Sequence, residues 1–251
     1  MTLFRNVVFL AALAGLCAGL VMTALQVTST VPLILQAETF ENAAPEAHEH
    51  GAADATAPVS SEAPAVPAHE HDEDGWAPAD GFERTAFTAL ANIVTGIGFA
   101  LLLVVASEFA GGITTLRQGL LWGFAGFAVF TLAPGLGLPP ELPAMPAAEL
   151  LPRQIWWTGT VLATAAGLAL VVFGRASWLA IGGIALLVVP HLIGAPQPES
   201  HESPIPEGLH HQFVVAVTVT NLVFWAVLGV MTALLRNRVV DDAVTARPRL
   251  A

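Results

Sequence analysis

RTAFTALANIVTGIGFALLLVVASEFA, residues Arg84 to Ala110, decides the fold class. Between Arg84 and Glu108 no side chain carries a charge, and the run is long enough to cross hydrocarbon roughly 30 Å thick as a helix rising about 1.5 Å per residue. Lipid offers no partner to backbone amides, so a spanning segment must satisfy them internally, and nothing here alternates with the period of two that a barrel strand needs. Working outward, five further apolar runs follow the same rule: Val7 to Val27, Gly119 to Pro134, Gln154 to Phe173, Trp178 to Ile193 and Phe213 to Leu235. Hydrophobic residues make up 55% of the chain against 12% charged, with no lysine and no tyrosine, which excludes an ordinary soluble domain. The fold expected is an all-α integral membrane protein of about six transmembrane helices. The third and fifth runs are short enough that one could be re-entrant.

Orientation follows from the arginines, because basic residues near helix ends stay in the cytoplasm. With six crossings and both termini cytoplasmic, Arg5, Arg117, Arg175, Arg236, Arg238, Arg247 and Arg249 fall inside, and only Arg84 and Arg153 fall outside. All eight histidines then lie in outer segments or at the outer end of a helix. The first run is too long for a signal-peptide core and no small-x-small cleavage site follows it, so it is expected to remain as a helix. Cys17, the single cysteine, reads as core. Four regions result: 1–37, the first helix and an outer extension; 38–80, a disordered extracytoplasmic loop rich in His, acids, Pro and Ala; 81–238, five further helices; and 239–251, a cytoplasmic tail.

The chemistry-bearing residues lie on the outer side. The loop repeats His-Glu-His at His48 and His50 and again at His69 and His71, in a tract too polar to fold. Carboxylates supply field and neutral imidazoles supply borderline-soft ligands, so the loop reads as a capture device for divalent cations. The plainer alternative is a solvated loop. A second cluster, Glu207, His210 and His211, has the spacing of one face where the last helix begins, so that one cation could touch all three. That face continues through Val214, Thr218, Asn221 and Trp225, while the second run carries Thr88, Asn92 and Thr95 in the same spacing. Asn92 and Asn221 fall at similar depth and suit either a hydrogen-bonded pair or, with Thr95 and Thr218, the lining of a wet path. His191, beside Pro190 at the end of the fifth run, is the best single metal-site residue, since interrupted helices are where transporters place their sites.

Some classes drop out. A P-loop needs a lysine, which the chain lacks, so ATP hydrolysis is not supported and no enzyme activity is expected. A redox or haem subunit would need paired histidines deep within facing helices, and only His191 comes near that. A non-conducting scaffold that presents metal to a partner channel stays open. Small residues spaced by four, Ala11, Gly15 and Gly19, Gly119 and Gly123, and Gly159, Ala163 and Gly167, read as helix-packing faces.

The order of WAPADGFERT, LLWGFAGFAVFTLAPGLGLPPELPAM, RQIWWTGTVLATAAGLAL, VVPHLIGAPQPE and FVVAVTVTNLVFWAVLG resembles the cobalt transporter subunit family CbtA. The resemblance implies a multi-pass subunit in the bacterial inner membrane, linked to cobalt or cobalamin supply, working with a small single-helix, His-bearing companion, CbtB. It implies Co2+ as cargo and no tightly bound cofactor. The partners expected are that companion, the lipid bilayer and further copies of the chain as a homo-oligomer, with no nucleic acid. The family supplies no residue roles, so the site residues named above rest on the sequence pattern alone.

Overall fold

Small residues in step bring the first two long helices together. α1 (Thr2–Thr28) and α3 (Phe82–Glu108) run antiparallel, and a Cβ on Gly19 would come within 2.6 Å of the Ile93 Cα, while one on Gly96 would come within 2.7 Å of the Gly15 carbonyl oxygen. The computed structural model describes residues 2–43, 78–79 and 81–245; among these there are helices, turns and loops but no strand. After α2 (Thr30–Ala43) and α3 come α4 (Leu116–Phe127), a π-helical segment (Ala128–Leu132), α5 (Ala133–Gly137), α6 (Leu150–Phe173), α7 (Ser177–Ile193) and α8 (Glu207–Thr245).

Each antiparallel pair is built on the same device. α4 meets α8 where Gly119 faces Gly229 and Gly123 faces Trp225, and α6 meets α7 where a Cβ on Gly167 would sit 2.8 Å from the Gly183 carbonyl. Without a hydrophobic drive between helices in lipid, close backbone approach is how they gain packing energy. α1 also packs on α8, and the shared core gathers Ala11, Ala14, Ala18, Leu103, Phe127, Trp225 and Leu228. Gly159, expected on a packing face, meets nothing within 4 Å.

Five helical stretches are long and apolar enough to cross a membrane: Arg5–Thr28, Phe82–Glu108, Leu116–Gly137, Leu150–Phe173 and Glu207–Arg236. α7 is apolar but only 17 residues long, about 26 Å at helical rise. Its Pro190 lies in the last turn and does not end it, since α7 continues to Ile193. α8 is longer than expected, running on past Leu235 and through the start of the stretch read as a tail.

α2 is the element the sequence reading lacked. It extends to Ala43, into the region expected to be disordered from residue 38. Pro32 sits in its first turn, where a missing N–H costs nothing, and its apolar side packs in a second core: Ala37 with Leu33, Ile34 and Phe40 against Leu142, Ile205, Leu209 and Phe213. This cap joins α2, the 138–149 loop and the start of α8 at one end of the bundle. Glu38 pairs there with Arg84 at 2.5 Å, and Glu141 pairs with Arg153 at 3.0 Å. At the opposite end Glu108 pairs with Arg236, and Gly112, at φ 80°, leaves room where a side chain would run into that guanidinium.

Candidate functional site

Below the cap an open groove of about 380 Å³ lies between the π segment, α5, Trp157 of α6 and the N-terminal half of α8. Its making starts at Pro134. Proline has no N–H, so the carbonyls one turn earlier, at Val129 or Phe130, lose a donor, and the helix widens into a π turn in which Ala133 N–H reaches back to the Ala128 carbonyl. The widened turn exposes Phe130, Thr131 and Leu132 to the groove.

The opposing wall is the stripe foreseen on the last helix: Val214, Thr218 and Asn221 line it, and Trp225, 2% exposed, lies beneath. The Thr218 hydroxyl donates to the Val214 carbonyl (2.7 Å), and the Asn221 Nδ2 donates to the Val217 carbonyl (2.9 Å). With its nitrogen so committed, Asn221 has its carbonyl Oδ1 left over as an acceptor. Thr131 makes no side-chain hydrogen bond among the described residues. Behind the lining Phe130 lies an aromatic stack: Phe130 stacks on Trp225 at 5.6 Å and 8°, and Phe99 packs on both at 5.0 and 4.9 Å.

His210 stands at the mouth, one turn above Val214. Its Nε2 lies 3.2 Å from the carbonyl oxygen of Pro140, itself a lining residue. A carbonyl only accepts, so Nε2 carries the proton and Nδ1 keeps the lone pair that a metal needs. The partners foreseen for it do not join it there. Glu207 and His211 are exposed, and among the described residues no three His, Cys, Asp or Glu side chains come together in a group fit to hold a metal ion. His191 is half-buried in the last turn of α7, its ring edge-on to Trp156 at 6.1 Å, while the Trp156 indole N–H donates to the Pro190 carbonyl at 3.2 Å.

The two asparagines do not pair. Asn92 Nδ2 donates to Thr23 Oγ1 (3.0 Å) and to Gln26 Oε1 (2.6 Å), making it a polar clasp between α3 and α1, and Thr95 lies on the exposed side of α3. α1 is the nearer polar neighbour because the glycines draw α3 onto it. His48, His50, His69 and His71 lie outside the described residues. Thr131 and Pro140 were missed by sequence reasoning. Pro134 inside an apolar run was the available signal for the first, whereas nothing local points to the second.

No curated protein and no solved structure matches the chain. A family model does, over residues 4–237, nearly the whole length: the chain belongs to the family described as "Probable cobalt transporter subunit (CbtA)", and is a multi-pass membrane protein of that family.

Proposed function

We propose that the chain is the membrane subunit of a divalent-metal transporter, with cobalt as cargo by family, that takes the ion at the capped end and passes it down the groove along α8. In this reading the cap faces out of the bacterial inner membrane, both termini are cytoplasmic and the short α7 makes the sixth crossing. His48, His50, His69 and His71 concentrate the ion. Glu207 and His211 on the exposed rim, with His191 on the neighbouring hairpin, act as separate outer ligands, and His210 passes the ion to Thr218 and Asn221. Asn92 and Thr95 leave the path, because the polar contacts of Asn92 run to α1 and Thr95 faces outward.

The observation that carries the proposal is His210. A backbone carbonyl that fixes the tautomer and orients the ring is how ligating histidines are commonly held, and the freed Nδ1 belongs to the ring at the groove mouth. The charges support it. Arg84 and Arg153 at the capped end are both paired to acids, so the field there is dominated by the remaining carboxylates, which attracts cations. The family name makes this chain a subunit, and a single-helix His-bearing companion of the CbtB kind is the partner we expect. The second reading, a scaffold that presents metal to a partner channel, is favoured by one feature: Phe130, which lines the groove, is packed against Phe99 and Trp225 in an aromatic stack that offers no polar step onward.

Uptake of radioactive cobalt into proteoliposomes, with and without the companion, tests both. His210→Ala should lower uptake at every cobalt concentration, by about tenfold if one ligand worth roughly 1.4 kcal/mol is lost. Deleting residues 46–74 should lower it only at low cobalt. Capture should also fade below about pH 6, since an imidazole of reference pKa about 6.5 must shed its proton to ligate. Normal uptake by His210→Ala would remove the groove-mouth site, and cobalt bound without any flux would leave the scaffold.

A further inference from the structure

The groove has a property that the outer imidazoles do not share. None of its lining residues is an acid, a histidine or a cysteine. Besides the Trp157 indole, its polar side chains are Thr131, Thr218, whose hydroxyl donates to the Val214 carbonyl and keeps its oxygen lone pairs, and Asn221, whose Oδ1 is left over by its Nδ2 bond to Val217. These three oxygen-bearing side chains come from two facing elements, the π turn and α8.

We infer that the groove is a cation station of neutral oxygens that takes a divalent ion with much of its water shell in place. Size allows it: six waters at about 30 Å³ each need about 180 Å³, well within the roughly 380 Å³ of the groove. Chemistry favours it as well. Without carboxylate or imidazole the ion is held weakly enough to leave, which conduction requires, and aqua ions of cobalt, manganese and magnesium are the class that oxygen donors suit. An imidazole-rich site would instead retain nickel and copper more tightly. Discrimination among metals is therefore not a property of the groove.

The inference deepens the transport reading and rests on it for the route by which the ion arrives. A local probe lies in the wall: Trp157 lines the groove, and Co2+ quenches indole emission at short range. In the full chain in nanodiscs, the Trp157 signal is isolated by subtracting the spectrum of Trp157→Phe, and Co2+ alone is titrated. Asn221→Asp should tighten the quenching midpoint at least tenfold, and Asn221→Leu should weaken it at least tenfold. Asn221→Asp guards against a folding artefact, because a purely structural asparagine would not yield tighter binding when given a charge. An unchanged midpoint in Asn221→Asp or in Asn221→Leu overturns the station. Cobalt uptake by the same variants separates the two ideas: quenching as expected with no flux in the wild type sinks transport and keeps the station, whereas wild-type flux with a midpoint indifferent to residue 221 does the reverse.

Discussion

Thr164 is 3% exposed in α6, and its hydroxyl is the one buried side-chain polar atom without a partner among the described residues. An unmet buried hydroxyl costs about 1–3 kcal/mol, so Thr164→Val, which keeps the shape and removes the group, should stabilise the protein by about 1 kcal/mol and raise Tm in detergent by about 2–4 °C. A lower Tm would mean that the hydroxyl meets a water or an ion in the native membrane. Its neighbour Thr160 shows the contrast, being equally buried but bonded to the Trp156 carbonyl at 2.8 Å. His210 belongs to this scale as well. Its spacing with Val214, Thr218 and Asn221 was legible because helical residues three and four apart share a face. Its tautomer was not, since Pro140 lies 70 positions away.

Among the elements, the stretch from α4 through the π turn to α5 is the one whose irregularity matters to the groove. Pro134→Ala restores a donor in mid-helix, where proline costs about 3 kcal/mol relative to alanine. It should therefore raise thermal stability while regularising the turn that exposes Thr131, and cobalt uptake should fall. Higher Tm with unchanged uptake would show that the π turn is only a packing solution. α2 makes the opposite point about legibility. Fourteen residues of moderate hydropathy, broken from α1 at Ser29, look like the start of a loop until Leu142, Ile205 and Leu209 are brought beneath Ala37. Helices this short draw their stability from tertiary packing, which no local pattern displays.

At the scale of the molecule, three charges of the minority sign among the described residues are paired: Arg84 with Glu38 and Arg153 with Glu141 at the capped end, Glu108 with Arg236 at the other. What remains is acidic at the capped end and, in Arg5, Arg117 and Arg175, basic at the opposite one, the pattern expected if the cap faces outward. Orientation can be read chemically because Cys17 is the only cysteine. In a Cys17→Ser background, Glu202→Cys should react with an impermeant maleimide on intact cells, and Asp241→Cys only after permeabilisation. Labelling of Asp241→Cys on intact cells would invert the topology and with it the direction of entry.

By itself the sequence determined the helical class, the membrane, the polar stripe on α8 and the ends at which acids and arginines gather. These are properties of a chain in a solvent: hydropathy selects lipid, lipid forces backbone amides into helices, and a period of 3.6 puts side chains on faces. Only the tertiary structure decided which faces meet. Gly15, Gly19 and Gly96 draw α3 onto α1, and that took Asn92 away from Asn221 and into the clasp with Thr23 and Gln26. Likewise the cap turned His210 toward Pro140 and left Glu207 and His211 in solvent. Pairing among helices rests on shape complementarity between residues far apart in the chain, and a groove exists only where two such surfaces fail to close.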